Sequence, residues 1–437
     1  MPSGVKIRFI GHSCFVYEVD GCRILCDPWL SGRVFHNGWD LYSPISTTMS
    51  DLDGIEYLWI SHEHPDHFHV PTLQSIPESR RTGITVLFQA TIDRRVAEFC
   101  CELGFREVRE LPPEWVRPSP DTVPGLEVLC VPAPEGNSWI AFRSEGTTVL
   151  NLNDCGVRNA PEAASIRRRV GTVDLLLTQF SYATWVGNPD QRELRESEAL
   201  DKLEMVAFQC EALAAERVLP FASHLYFCHP ENFFLNDGVN TPSAAVRFLR
   251  DATSAEPVVL YNDESYEVGA PHGTDEACRR FDEDVERVLA AGPLSLEDPS
   301  VGADDLAEAV EGFLVRLRDD APWYLRRMLG STAIRLWDWD RTVRLTVDGL
   351  EDDPTPELDT DVALHSSSLL LCLQHRYGLD TLGVSGRFHK PAGGDYRRFY
   401  RFFRPGLIAM RGEVVGIGYI LRSVLNAVLV RMGRRSN

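Results

Sequence analysis

The sequence predicts an α/β fold carrying an additional C-terminal α+β domain, and three observations support that assignment. Short apolar runs of strand period alternate with amphipathic, helix-period stretches through the first 270 residues. A dense set of metal-ligand side chains, His62, His64, Asp66 and His67, follows straight after the apolar run 57–60. Past residue 270 the pattern changes. An acidic helical and linker segment spans 271–304, and an accessory unit at 305–437 holds no motif with ligand spacing. The 437 residues suffice for more than one folding unit. Apolar and charged fractions of 44% and 25% are those of a globular chain, not of a disordered or fibrous one.

A net charge of −20 argues against a nucleic-acid partner, although a nucleotide-sized substrate needs only a local cationic pocket. Eleven cysteines are scattered without a C-x2-C pair, which points to a reducing, cytoplasmic compartment and away from a disulfide scaffold. The opening MPSGVKIRFIGHSCF enters a strand pattern at once and lacks signal-peptide shape. The apolar tail 414–432 is interrupted by Arg422 and Asn426, so a packed or interface helix is expected there, with no membrane partner. The sequence sets no oligomeric state.

Residues 5–10 and 13–19 alternate as strands, and Asp20-Gly21 is a hairpin turn into a strand at 22–26. The run 57–60 ends a buried strand. A short helix is expected at 70–78, a strand at 84–88, and an amphipathic helix at 91–104 closed by Gly104. A Pro-rich connection at 112–120 leads to a strand at 126–131, and a hairpin follows at 138–143 and 147–152. The run 173–180 reads as a buried strand, 193–215 as a helix and 217–222 as a strand. Further helices are expected at 274–291 and 305–317, and RLTVDG at 344–349 as a strand and turn.

Imidazole nitrogen and carboxylate oxygen are the usual protein ligands of a borderline divalent metal. Residues two apart in extended chain point the same way, so His62, His64 and Asp66 can converge while His67 turns to a neighbouring position. That arrangement suits two adjacent ions better than one. The competing reading is a histidine-rich surface loop without metal. His12, just past the first strand, could support the site from behind, with a purely structural hydrogen-bonded role as the alternative.

The spacing H-x-H-x-D-H, written HEHPDH at 62–67, resembles the defining motif of the metallo-β-lactamase fold superfamily. The resemblance implies a four-layer αβ/βα sandwich, two mixed sheets with helices outside, and a mono- or dinuclear metal site on the sheet rim. It also implies roles for distant residues. Asp27 would support the metal loop from behind, or else cap a turn before Pro28. Glu135 would be the ligand where a zinc hydrolase of the superfamily carries a third histidine, since 132–137 contains none. Asp154 would bridge the two ions, with a helix cap as the alternative. The last ligand would come from SHLYFCHPEN, with His229 favoured and His224 as fallback. Tyr182 and Trp185 would help form the substrate mouth. Asn236 and Asp237 would line the pocket or form a turn, and Arg387 and Lys390 would meet an anionic substrate group or form a solvated basic face.

Three stretches narrow the resemblance. ILCDPWLSGRVFHNGWDLYSP with WISHEHPDHFHVPTL, then PFASHLYFCHPEN, then DTLGVSGRF, resemble parts of the CMP-N-acetylneuraminate hydroxylase family. That family carries an N-terminal Rieske domain with C-x-H and C-x2-H ligand pairs. Here the C-x2-H from Cys372 to His375 has no C-x-H companion, so electrons are expected from a separate redox partner such as a ferredoxin. Glutamate in place of the third histidine is also similar to dinuclear-iron oxygenases of the superfamily. The implied ligand set, four imidazoles and three carboxylates, is harder and more anionic than a zinc hydrolase's, and such sites stabilise oxidised iron. The expected activity is a hydroxylase-like oxygenase using two iron ions on a small, anionic or nucleotide-linked molecule. The alternatives are a zinc- or manganese-dependent hydrolase of a phosphoester or lactone, working through a bridging hydroxide, and a metal-stabilised binding protein.

Overall fold

The computed structural model describes residues 4–119, 123, 125–413 and 415–416. Local pairing starts the first sheet: β1 (Lys6–Gly11), β2 (Cys14–Val19) and β3 (Cys22–Cys26) form an antiparallel meander. Its second turn is Asp20-Gly21, with φ of 47° and 84°, the left-handed pair that a two-residue hairpin between right-twisted strands requires. After the short β4 (Trp39–Asp40), β5 (Tyr57–Trp59) adds parallel to β3. Two helices follow, α1 (Val70–Ser75) and α2 (Glu78–Arg81). The one helix expected at 70–78 is divided because Pro77, lacking an N–H, cannot continue it and becomes the cap of α2. Next come β6 (Thr85–Gln89), α3 (Arg95–Glu102) and β7 (Glu107–Leu111), the strands again parallel. The strand EVREL falls outside the expected elements. It is the edge of its sheet, where charged side chains replace the strand-period apolar signal.

The second sheet begins with β8 (Glu127–Pro132), β9 (Ser138–Ser144) and β10 (Thr147–Asn153), all antiparallel. It continues as parallel units through α4 (Ala160–Val170), β11 (Leu175–Gln179), α5 (Arg192–Leu213) and β12 (Arg217–Phe221). Helix α4 also lies outside the expected elements, because only Ala163, Ile166 and Val170 mark its buried stripe. β13 (Tyr226–Phe227) pairs with β4, and α6 (Pro242–Ala252) leads to β14 (Glu256–Pro257) beside β12. β15 (Ser265–Glu267) then joins β1, and α7 (Thr274–Ala291) follows. Strand orders are β15-β1-β2-β3-β5-β6-β7 and β14-β12-β11-β10-β9-β8.

Between the sheets, Phe9 and Phe15 meet Phe221, and Tyr17 stacks on Phe142 at 4.6 Å. Outside them, α4, α5 and α6 bury Ile166, Leu203 and Leu249 on the second sheet, while α1 and α3 bury Leu73 and Val96 on the first. The result is the four-layer αβ/βα sandwich.

Contacts divide the chain into two compact units, one of Met1–Val186, Gln191–Cys228 and Phe233–Leu294, the other of Gly187–Asp190, His229–Asn232 and Ser295–Asn437. The first boundary thus falls at 294, not 270, because α7 packs back: Phe281 is buried against Tyr42, His224 and Tyr261. The second unit contains α8 (Ala303–Asp320), α9 (Trp323–Leu329), β16 (Ser331–Leu336), β17 (Arg341–Thr346), β18 (Leu350–Asp352) and β19 (Val362–Leu364). It ends with α10 (Ser366–Gln374), α11 (Gly378–Ser385) and α12 (Tyr396–Met410). Its strands form a separate sheet in the order β18-β17-β16-β19. The tail 414–432 lies outside the described residues apart from 415 and 416. Among the described residues no helix is long and apolar enough to cross a membrane.

Candidate metal centre

Four strands end at the site in the same way. His12 after β1, Asp27 after β3, Asn153 closing β10 and Ala222 after β12 all have left-handed backbones, with φ of 49°, 41°, 50° and 47°. A non-glycine residue in that region costs on the order of 1–3 kcal/mol, and such strain gathers at functional sites. Between them the loop after β5 closes on itself, with the N–H groups of His67 and Phe68 donating to the His64 carbonyl at 3.0 and 2.7 Å.

The loop and the strand ends bring five side chains together. Asp66 Oδ2 stands 3.2 Å from both His12 Nε2 and His67 Nε2. Asp154 Oδ2 stands 3.4 Å from His67 Nε2 and 3.8 Å from His62 Nε2. Two ligand groups result, His12–Asp66–His67 and His62–His67–Asp154, sharing His67. Ligands about 2.0–2.2 Å from an ion sit about 3.0–3.5 Å from one another in tetrahedral or octahedral shells, so most of these spacings match the edge of a coordination polyhedron.

Hydrogen bonding tests whether the residues fit a metal. His62 Nε2, His67 Nε2, Asp66 Oδ1 and His12 Nδ1 are buried without a hydrogen-bond partner, a costly state unless something else satisfies them. The opposite ring edges are held. Asp27 Oδ2 accepts from His67 Nδ1 at 2.9 Å, and the Ser61 hydroxyl lies 2.9 Å from His62 Nδ1. A proton fixed on Nδ1 leaves the Nε2 lone pair facing the carboxylates, as in carboxylate–histidine–metal arrangements. Asp27 is itself fixed, accepting from Ser61 N at 2.7 Å and Asn153 Nδ2 at 2.6 Å. The set of buried imidazoles and carboxylates fits a pair of first-row divalent ions.

Without an ion the charges lean on one another. Burial works against a charged His67, but Asp66, Asp154 and Asp27 outweigh it and hold the imidazole well above its usual range. Burial, with His67 and His64 nearby, pushes His62 well below. Burial would raise Asp154, yet His67 and His62 bring it down to about 2.

The other expected site residues fall in different places. His64 is half-buried, its ring 4.6 Å from that of His62, and it joins neither group. Glu135 is exposed on the turn Pro134–Gly136, with φ of 65°, and belongs to neither group; the turn carries it outward. His224 is enclosed by Phe9, Phe180 and Phe281, with Nδ1 2.7 Å from the Tyr42 hydroxyl. His229 sits in the short stretch assigned to the second unit, where its Nδ1 accepts from Glu231 N at 3.2 Å. Tyr182 is buried and donates to the Leu235 carbonyl. Trp185 is half-buried in the following loop. Asn236 bonds Phe227 N and O at 2.9 and 2.8 Å and lines a cavity with Tyr182, while Asp237 pairs with the buried Arg195 at 2.5 Å. Arg387 is fully buried between Glu231 and Asp298, which satisfy its guanidinium and leave it closed to a substrate anion. Lys390 lies 4.4 Å over the Tyr396 ring, and burial lowers its ammonium to about 8.

Sequence reasoning missed a relay behind Asp154. Gln179 Nε2 donates to Asp154 Oδ1 at 3.2 Å, and Lys202 Nζ donates to Gln179 Oε1 at 2.7 Å. Lys202 sits among the ordinary charged residues of α5, so no local signal distinguishes it. Ser61 was legible only as the residue before His62, yet its carbonyl takes bonds from Gln89 and Ser138 that pin the loop.

The fold is of the metallo-β-lactamase type, and the two groups that could hold metal ions lie at its strand ends. Residues 6–190 match the family described as beta-lactamase superfamily domain. It is homologous to a Mycolicibacterium smegmatis protein named as a Rieske 2Fe-2S iron-sulfur protein, 25% identical over 251 residues, 55% of this chain and 47% of the relative. It is also homologous to the mouse (Mus musculus) cytidine monophosphate-N-acetylneuraminic acid hydroxylase, 35% identical over 246 residues, 53% and 41% of the two chains. The chain spans about half the length of the curated relatives it matches. Among solved structures, CmlA, a diiron beta-hydroxylase from Streptomyces venezuelae, is similar with a TM-score of 0.43 and 17% identity, covering 61% of this chain and 55% of that one. Metallo-hydrolases resemble the chain at a comparable level.

Proposed function

We propose that this chain is a hydroxylase-like oxygenase that uses two iron ions at the sheet rim to oxidise a small, anionic or nucleotide-linked molecule. The observation that carries this reading is the homology to the sialic-acid-nucleotide hydroxylases. The donor set supports it, because carboxylates are prominent around His62 and His67 and the loop 132–137 offers no third imidazole. Iron bound there would supply the redox chemistry for O2, which zinc lacks. His62 and Asp154 would hold one ion, Asp66 and His67 the other. Asp27 fixes the proton on His67 Nδ1, and Gln179 with Lys202 holds Asp154 in place. The balance, R–H + O2 + 2 e− + 2 H+ giving R–OH + H2O, needs two electrons, drawn from a separate iron–sulfur protein. Eleven cysteines, ten of them buried and none in a disulfide, suit a reducing cytoplasm.

The test is oxygen uptake by iron-loaded protein, reduced without air and then exposed to O2, with the zinc-loaded protein alongside. Iron-dependent uptake is expected and none with zinc. A zinc form that cleaves phosphoesters or lactones without reductant, beside an iron form that consumes no O2, would move the assignment to a hydrolase.

A further inference from the structure

We infer that His12 is a metal ligand, completing the position built around Asp66 and His67. The inference rests on the paired-ion reading of the site but on no particular metal or reaction. Its Nε2 lies 3.2 Å from Asp66 Oδ2, the same distance that separates Asp66 Oδ2 from His67 Nε2. The three ligand atoms therefore surround one point as an ion's ligands would.

The chain is shaped to deliver this imidazole. β1 breaks register with β2 between Phe9 and Gly11, and a Cβ at Gly11 would collide with Ile45. His12 then takes its strained left-handed conformation. Its carbonyl accepts from Ala222 N at 3.2 Å, and its ring packs edge-on to Trp29 at 5.3 Å. The residue is 1% exposed. A histidine kept only to brace Asp66 would not need the strain.

The histidines after β12 are otherwise engaged. His224 uses Nδ1 on Tyr42, and its ring also hydrogen-bonds the Pro220 carbonyl. His229 joins neither ligand group. Ligation by His12 would replace the hydrogen between Nε2 and Asp66 with the ion and leave the ring's single proton on Nδ1.

The test loads metal-free, full-length protein with cobalt(II) and reads ions per chain by elemental analysis and visible absorption. Wild type should hold two. His12→Asn should hold one, the second weakened about 100-fold or more. Asparagine tolerates the left-handed backbone and can still hydrogen-bond Asp66. His12→Gln is the second variant should Asn fail to fold, and His224→Gln should keep both ions. Two ions in His12→Asn or His12→Gln, or loss of the second ion in His224→Gln, would overturn the inference alone. Fewer than two in wild type would overturn it together with the paired-ion reading.

Discussion

Asp27 shows how much of the centre depends on a residue that never meets the metal. One carboxylate receives Ser61 N, Asn153 Nδ2 and His67 Nδ1, so it joins both sheets to the ligand loop. Asp27→Ala should weaken metal binding about 10- to 100-fold, read by cobalt titration. Acid should act through Asp154. Its carboxylate ionises at about 2 in the metal-free fold, against about 3.9 for a free aspartate. A lowered value contributes stability that is complete above the higher figure and lost as pH falls through the lower one. The metal-free protein should therefore lose stability between about pH 4 and pH 2, and Asp154→Asn should flatten that part of a denaturation-against-pH curve. At this scale the sequence was most legible where ligands are neighbours. HEHPDH needs only its spacing, and His12 was legible only as a support from behind, whereas Lys202 and Gln179 reach the site through the tertiary fold and leave no contiguous trace.

Elements were legible where one face is buried. Helix α7 matches its expected span residue for residue, and the strands β3 and β6 lie within one residue of theirs. Edge strand β7 and the thin-striped α4 were not, because little of either carries an apolar period. Helix α5 ends on Ala214, an exposed alanine in the left-handed cap with φ of 50°. Glycine is the residue suited to that cap. Ala214→Gly should stabilise the chain by about 1 kcal/mol, seen as a higher denaturant midpoint with metal content unchanged.

For the whole molecule, the net charge of −20 set the sign of the surface but said nothing of buried cations such as Arg195 and Arg387. The composition shift near 270 announced a second unit, yet the boundary came later because α7 belongs to the first core. Arg387→Met should remove a fully buried guanidinium from between two carboxylates and destabilise the second unit by about 3–5 kcal/mol. Differential scanning calorimetry would read that loss, with ions per chain staying at the wild-type value. The ligands themselves are divided between the layers: His62 and His67 hang from the first sheet, Asp154 from the second. An ion gripped by both is a clasp across the sandwich, tying together stretches far apart along the chain much as a cross-link would. Stripping it out should loosen the seam between the halves, so that the melting point climbs with free metal concentration and resistance to proteolysis follows the same curve.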